Sequence, residues 1–259
     1  MNTPRIIALL TDFGNDDPYV AGMKGMILSI APTAQIVDIS HSVQPQNITQ
    51  ASYLLWSVYK YFPKGTFFAA VVDPGVGGSR KIICAEGGGY TFLAPDNRIL
   101  QYVAGEVHFK KVIAVTQDKY FSSTVSRTFH GRDIFAPVTA HLSNGVSIKS
   151  LGVNIKHKLP IGKLITVESK PGGYTGKILH IDHFGNLITD FRFTKLRTFR
   201  LNIGKRIITK YSPTYEAAPS KVPFLIGGSS GLLEISVKNG DAAATLRAKL
   251  NQPLKLTVL

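Results

Sequence analysis

Only one cysteine, Cys84, occurs among the 259 residues, which excludes an intramolecular disulfide framework and any cysteine-based zinc site. Long hydrophobic runs are missing too. No apolar stretch approaches the roughly 20 residues that a membrane span requires. The N-terminus offers only Ile6 to Leu10 before Thr11 and Asp12, too short for the core of a signal peptide. A soluble chain in a reducing, cytoplasmic compartment is expected, with no membrane partner. Charged residues are few, at 18% against 44% hydrophobic, the opposite of a disordered composition. The chain is long enough for one large α/β domain or two modest ones.

Acidic residues are scarce in one part only. Residues 1–100 hold seven Lys/Arg and seven Asp/Glu, whereas the rest hold 23 basic and nine acidic groups, so the net charge of +14 belongs to the second part. Its densest stretch runs Arg192, Lys195, Arg197, Arg200, Lys205, Arg206, Lys210. Such a stretch binds RNA or phosphates, or it simply keeps the surface solvated. Zinc-finger spacing and RNA-recognition signatures are absent, so the solvated surface is the expectation and nucleic acid is not expected as a partner.

The first half alternates strand-length apolar runs with helix-period segments. Residues 6–10 form an apolar run closed by Thr11-Asp12-Phe13-Gly14. Asp17-Pro18 then suits a helix start, and Val20, Met23, Met26, Ile27 and Ile30 follow at helical spacing up to Pro32. Residues 36–39 read as a second strand, residues 48–62 as a second helix stopped by Pro63 and Gly65, and residues 66–72 as a third strand closed by Asp73-Pro74-Gly75. This order predicts an N-terminal, mostly parallel sheet flanked by helices. Residues 81–85 and 90–93 flank three glycines as a hairpin, and residues 134–142 suggest a further helix. Near Lys170-Pro171-Gly172-Gly173 a linker is expected. Beyond it lie short strands at 176–181, 187–191, 199–203, 206–211, 223–226, 232–237 and 254–258. They predict a smaller C-terminal antiparallel β-barrel domain. The expected domains are 1–168 and 174–259.

In an open parallel sheet, ligands bind beyond the carboxyl ends of the strands, where strand order reverses. Asp12 and Asp73 each close a predicted strand and should face that crevice, with Asp16 and Asp17 on the same loop as Asp12. Such carboxylates suit a metal, a ribose or a cationic ligand. Equally, Asp17 suits a helix cap, and Asp73 before Pro-Gly suits a turn. The loop Asp73-Pro74-Gly75-Val76-Gly77-Gly78-Ser79-Arg80 lacks the Gly-Lys-Ser/Thr ending of a Walker loop. It is followed by a hairpin rather than a helix, so it is not a dinucleotide fingerprint either. Its glycines allow close backbone approach and let Arg80 swing back over Asp73. Among the histidines His130, in Thr128-Phe129-His130-Gly131-Arg132-Asp133, has the most site-like surroundings, although a lone His beside an aromatic is more often structural.

The strings LLTDFGNDDPYVAGMKG, DISHSVQP, VVDPGVGGSR, APDN and FHGRDIFAP, followed by IDHFGNLITD and IGGSSGLLEISVKNGDAA, together resemble the S-adenosylmethionine (SAM) hydroxide adenosyltransferases. These SAM hydrolases are related to fluorinating and chlorinating enzymes that use the same substrate. The motifs are in order along nearly the whole chain. The resemblance implies metal-independent, cofactor-free hydrolysis of SAM to adenosine and L-methionine, by attack of activated water at C5′. It also implies a homotrimer with sites at subunit interfaces. The family's Asp–Arg–His trio falls on Asp73, Arg80 and His130, with His130 as the natural base. Gly131 occupies the place of a halide-binding serine, so water rather than halide is the implied nucleophile. By the same transfer Asp12 holds the ribose hydroxyls and Asp17 the methionine ammonium. Phe184 and Asn186 meet the adenine and ribose region, and Ser229 meets the methionine carboxylate. An aromatic residue that packs on substrate in the fluorinating enzymes falls on Gln46, which departs from the pattern and is left out of the expected site.

Two other functions fit parts of the pattern. A calcium-dependent nucleoside ribohydrolase also has Thr-Asp and paired aspartates near its N-terminus, but the aspartate expected two residues before Asp12 is Leu10 here. A non-catalytic SAM or adenosine sensor, or an RNA-associated module using residues 192–210, would not need the Asp73, Arg80 and His130 trio.

Overall fold

The computed structural model describes residues 5–156, 158–167, 172–192 and 198–259. The chain divides into two compact units that part between Gly162 and Lys163. Of the expected linker, Gly172 and Gly173 already belong to a strand, while Lys170 and Pro171 lie outside the described residues.

The first unit is built on seven strands: β1 (Ile6–Thr11), β2 (Gln35–Ser40), β3 (Phe67–Val71), β4 (Ile82–Gly87), β5 (Tyr90–Pro95), β6 (Phe109–Val115) and β7 (Gly152–Asn154). Their order is β2-β1-β3-β5-β4-β6-β7. β2, β1, β3 and β5 run parallel, and the pairs β5–β4, β4–β6 and β6–β7 are antiparallel. The sheet is therefore mixed: its parallel half is the strand–helix alternation legible in the sequence. Its antiparallel half grows from the glycine hairpin and from β6 and β7, which the sequence pattern did not separate. Chain order 1-2 on one side of β1 and 3 on the other makes the β1/β3 boundary the topological switch point.

Helices α1 (Tyr19–Ile30), α2 (Ile48–Val58), α3 (Gln101–Ala104) and α4 (Ala136–Ser143) accompany this sheet. Met23 and Ile27 of α1 and Ala136 and Val138 of α4 share one buried cluster with Ile7, Leu9, Ala69 and Val71. Alternate residues of the strands point the other way. There Phe68 and Phe92 stack at 5.0 Å and Phe62 meets Phe68 edge-on at 5.2 Å. α2 begins where Asn47 accepts a hydrogen bond from the Gln50 N–H at 3.0 Å, an N-cap that satisfies one orphan donor. α1 starts differently from expectation. Pro18 occupies its N-cap position and no side chain caps it, so Asp17 is exposed rather than spent on the helix. The predicted helix at 134–142 is preceded by a π-helical turn, Gly131–Phe135, that widens its entry next to His130.

The second unit holds β8 (Ile165–Thr166), β9 (Gly172–Ile181), β10 (Leu187–Arg192), β11 (Phe199–Ile203), β12 (Arg206–Ile208), β13 (Pro223–Gly227), β14 (Leu232–Val237) and β15 (Pro253–Val258). The order β12-β11-β15-β9-β10-β14-β13 is antiparallel throughout, with β8 added beside β10 in parallel. Its ends nearly meet. The Leu225 N–H donates to the Lys210 carbonyl at 2.8 Å and the Ser212 N–H to the Leu225 carbonyl at 2.9 Å, so the sheet curls into a nearly closed barrel. The expected strand 206–211 is shorter than its apolar pattern, because it ends at Ile208 and bridges only through Tyr211. The core comes from inward residues of alternating strands, such as Phe199, Leu201 and Ile203 beside Leu254, Leu256 and Val258. A short helix absent from the sequence reading, α5 (Ala242–Leu246), is capped by Asp241, which accepts from the Ala244 N–H at 2.7 Å. Lys195 and Arg197 of the basic stretch lie outside the described residues. No helix among the described residues is long and apolar enough to cross a membrane.

Candidate active site

Thr11 and Val71 are register partners at the carboxyl ends of β1 and β3. Asp12 and Asp73 follow them on neighbouring parallel strands, so both carboxylates emerge at the switch point. They line a pocket of about 200 Å³ with Phe13, Gln46, Thr128, Phe129, His130 and Gly131.

The glycine-rich loop does turn Arg80 back onto Asp73. Arg80 Nε donates to Asp73 Oδ1 at 3.0 Å and to Oδ2 at 2.8 Å, while Nη2 donates to Oδ2. The same Nη2 reaches His130 Nδ1 at 2.8 Å. The trio is thus one hydrogen-bonded chain with the guanidinium in its middle. Arg80 and Asp73 are largely buried, with 15% and 6% of their side chains exposed. Such a pair is strongly oriented, because each charge depends on the other for its solvation. The loop reaches the segment before His130 through Gly77. That residue has φ +76°, and a Cβ on it would strike the Arg127 carbonyl. No other residue lets the two segments come so close.

The segment that carries His130 is braced by aromatic packing at its neighbour Phe129. Phe13, Tyr19 and Phe129 form an edge-to-face triangle with centroid separations of 5.2–6.1 Å, and Arg132 lies over the Phe129 ring. Buried Asp133 accepts from the Ser126 N–H at 2.8 Å and from Arg132, which fixes the turn on its other side. The Asp133 carboxyl sits below its ordinary value: burial would raise it, but Arg132 and Ser126 outweigh burial. The His130 imidazole is pushed below the ordinary histidine range by burial first and by the Arg80 charge second, against weaker pulls from Asp73 and Asp133.

Asp12 is half-buried and accepts from the Gln46 N–H at 2.8 Å. Its carboxyl is raised, by burial above all; the Gln46 bond opposes the shift and the Asp73 charge adds to it. Gln46, discounted in the sequence, is a site residue through its backbone. Its φ of +66° turns the N–H toward Asp12, and nothing in a residue type announces such a role. The loop after β1 is braced as well. Thr11 Oγ1 bonds His41 Nδ1 at 2.8 Å and accepts from the Phe13 N–H at 3.2 Å. His41 Nε2 lies 3.1 Å from Asp38, which also pairs with Lys24. Phe13, Thr128 and Phe129 also line the pocket without having been singled out. The signal available for them was adjacency to Asp12 and His130.

Gly131 has no room for a side chain. A Cβ there would lie 2.9 Å from Phe13 Cε2 and 3.4 Å from Met23 Sδ, so a serine hydroxyl does not fit without displacing Phe13. Asp17 is exposed on the loop and is not among the residues lining the pocket.

Phe184, Asn186 and Ser229 line a cavity of about 630 Å³ within the second unit, with Asp182, Tyr215, Glu234 and Lys238 among its walls. Asp182 organises the first part. It accepts from the backbone N–H groups of Phe184 and Asn186 and from the Asn186 side chain at 2.8–2.9 Å. The intervening Gly185 has φ +81° and faces Asp241 so closely that a Cβ would overlap its carboxylate. The turn therefore presents the Phe184 ring outward, 72% exposed, while Asn186 is buried. Tyr215 donates to Glu234 at 3.2 Å. The Glu234 carboxyl is raised chiefly by burial, with Asp182 adding and Tyr215 opposing. Nothing in the sequence marks Tyr215 or Glu234 as a site residue. Among the described residues no group of three or more His, Cys, Asp or Glu side chains is arranged to hold a metal ion.

A mixed α/β unit with a hydrogen-bonded Asp–Arg–His chain at its switch point, joined in sequence to a β-barrel, defines a two-domain class, and comparison with known proteins agrees. Residues 7–152 match the SAM hydroxide adenosyltransferase N-terminal domain and residues 176–255 the corresponding C-terminal domain. The chain belongs to the SAM hydroxide adenosyltransferase family. It is 33% identical to the (R)-S-adenosyl-L-methionine hydrolase of Thermus thermophilus over 97% of this chain and 99% of that protein. It is 36% identical to the hydrolase of the same name from Methanocaldococcus jannaschii over 93% and 91%. A fluorinase from an Actinoplanes species is 30% identical over 75% of this chain and 74% of its own. Among solved structures, an uncharacterized conserved protein from Thermotoga maritima superposes with a TM-score of 0.87 at 32% identity, covering 96% of this chain and 99% of that one.

Proposed function

We propose that this protein is an enzyme that hydrolyses S-adenosyl-L-methionine to adenosine and L-methionine, without a metal or cofactor. The observation that carries the proposal is the Asp73–Arg80–His130 chain at the β1/β3 switch point. Membership of a family whose relatives are named (R)-S-adenosyl-L-methionine hydrolases supports it.

The chemistry asks little of the protein beyond placement. The sulfonium leaves C5′ as a neutral thioether, so the leaving group needs no acid. What is needed is a water in line with the C5′–S bond at a near-attack distance of about 3–3.5 Å, and charge to steady the oxygen as it attacks. Arg80, fixed by Asp73, supplies that charge next to His130. In this reading Asp12 binds the ribose hydroxyls and Asp17 the methionine ammonium. Phe184 and Asn186 take the adenine and ribose region, and Ser229 the methionine carboxylate. A cytoplasmic homotrimer with sites at subunit interfaces belongs to the same proposal; light scattering on the purified protein tests the assembly.

The deciding experiment incubates the protein with SAM in EDTA and heavy-oxygen water, with products separated by chromatography and weighed by mass spectrometry. Methionine plus adenosine labelled at the 5′ oxygen is expected. Free adenine would place the attack at C1′, as in a ribohydrolase. Binding without turnover would leave a sensor.

A further inference from the structure

We propose that His130 is not the base of the reaction. It holds Arg80 as a fixed hydrogen-bond acceptor through Nδ1 and presents Nε2–H to the pocket as a donor. This inference rests on the SAM-hydrolase reading of the same site and departs from the usual expectation for a histidine beside a nucleophile.

The protons available to the trio decide the assignment. An arginine guanidinium carries only donors and stays protonated at every accessible pH. Arg80 Nη2 lies 2.8 Å from His130 Nδ1, so Nδ1 must be the acceptor and hold no proton. In a neutral imidazole one nitrogen then carries the hydrogen, and it is Nε2. Both nitrogens are therefore committed. Nδ1 has its lone pair on Arg80, and Nε2 has a proton already. A proton from water finds no vacant site on His130 unless the Arg80 contact breaks first.

The groups around the ring reinforce this state. Arg80 approaches from the glycine-rich loop, Asp73 from the end of β3, Asp12 from the end of β1 across the same pocket, and Asp133 from the turn that carries His130 itself. Burial and the Arg80 charge together hold the imidazole in its neutral form to lower pH than usual.

The proton then has one nearby destination among the trio. Asp73 Oδ1 accepts a single hydrogen bond, from Arg80 Nε, whereas Oδ2 accepts two. Oδ1 retains a lone pair. The water oxygen forms the O–C5′ bond, the C5′–S bond breaks with its electron pair passing to sulfur, and the proton leaves the oxygen for the Asp73 carboxylate and then bulk water.

Two measurements test this. The first is long-range proton–nitrogen correlation NMR on ¹⁵N-histidine-labelled protein, with the His130→Ala variant identifying the signal among the seven histidines. A protonated Nε2 and an unprotonated Nδ1 are expected at neutral pH. A proton on Nδ1 would overturn the proposal, and this readout needs no turnover. The second compares His130→Asn with His130→Ala. Asn places its Oδ1 where Nδ1 lies and can hold Arg80, but it cannot take a proton. His130→Asn is expected to lower kcat by about tenfold, the worth of the lost Nε2–H donor. His130→Ala is expected to lower it by more than about a hundredfold. In His130→Asn the part of the acid limb of the kcat profile that His130 contributes should also vanish. In the parent enzyme that limb falls as pH drops below the ordinary histidine range, because a proton on Nδ1 would face the Arg80 N–H. A folded His130→Asn protein as inactive as His130→Ala would restore the base and sink the proposal. Failure of the parent protein to hydrolyse SAM, with the expected tautomer present, would instead sink the functional reading alone.

Discussion

The two units hold their polar groups in contrasting ways. In the first unit, side chain grips side chain: Asp73, Arg80 and His130 form one chain, and the pocket's other carboxylate, Asp12, is held by the Gln46 N–H. In the second unit, a turn is organised by Asp182, and what it displays is an exposed ring, Phe184, at the edge of a cavity roughly three times as large. On the proposed function, bond-making falls to the first unit and adenine recognition to the second. Bond-making tolerates little positional error, so its groups are locked to one another. Recognition of a flat, apolar ligand needs area, and an exposed aromatic supplies it. The charge distribution follows the same division. The balanced first hundred residues carry the acidic pocket, whereas the excess of positive charge lies beyond them.

The two units are expected to respond differently to substitution. The largest effect is expected from Asp73→Ala, which frees Arg80 to reorient: turnover falls by about a thousandfold, while SAM affinity by calorimetry changes little. Equal losses in affinity and turnover would erase the division of labour. Phe184→Ala should do the reverse. It raises KM through the loss of about 1–3 kcal/mol of ring stacking and leaves kcat near the parent value in a steady-state assay. Gly131→Ser probes the close packing at the first site. Its Cβ meets Phe13 and Met23, so a loss of about 1–3 kcal/mol in denaturant stability is expected, together with lower turnover. Unchanged stability would mean that the aromatic triangle yields easily. The smallest effect belongs to the outer face of the barrel. Arg200→Gln and Lys255→Gln alter exposed side chains, and kcat/KM should stay within about twofold. A large drop, or salt-dependent RNA retention lost in the pair, would give the basic surface a function.

Legibility in the sequence followed the range of the interactions. Strands β1, β2 and β3, helices α1 and α2, and most barrel strands announce themselves by local periodicity and by Pro and Gly punctuation. β6 does not stand out, because its run Phe109–Val115 is interrupted by Lys110 and Lys111, which lie toward one end of an otherwise buried strand. The cap expected of Asp17 failed for a similar reason: residue type permits it, but the backbone before Tyr19 places Pro18 there instead.

The sequence by itself determined the alternation of elements, the placing of Asp12 and Asp73 at strand ends, and the motifs that carry the family resemblance, because each is written in residues close along the chain. Tertiary structure decided the rest. It brought residues 73, 80 and 130 into one hydrogen-bonded chain and turned the backbone of Gln46 onto Asp12. Those facts depend on contacts up to 50 residues apart and on a backbone turn at Gln46, and no local pattern of side chains encodes either.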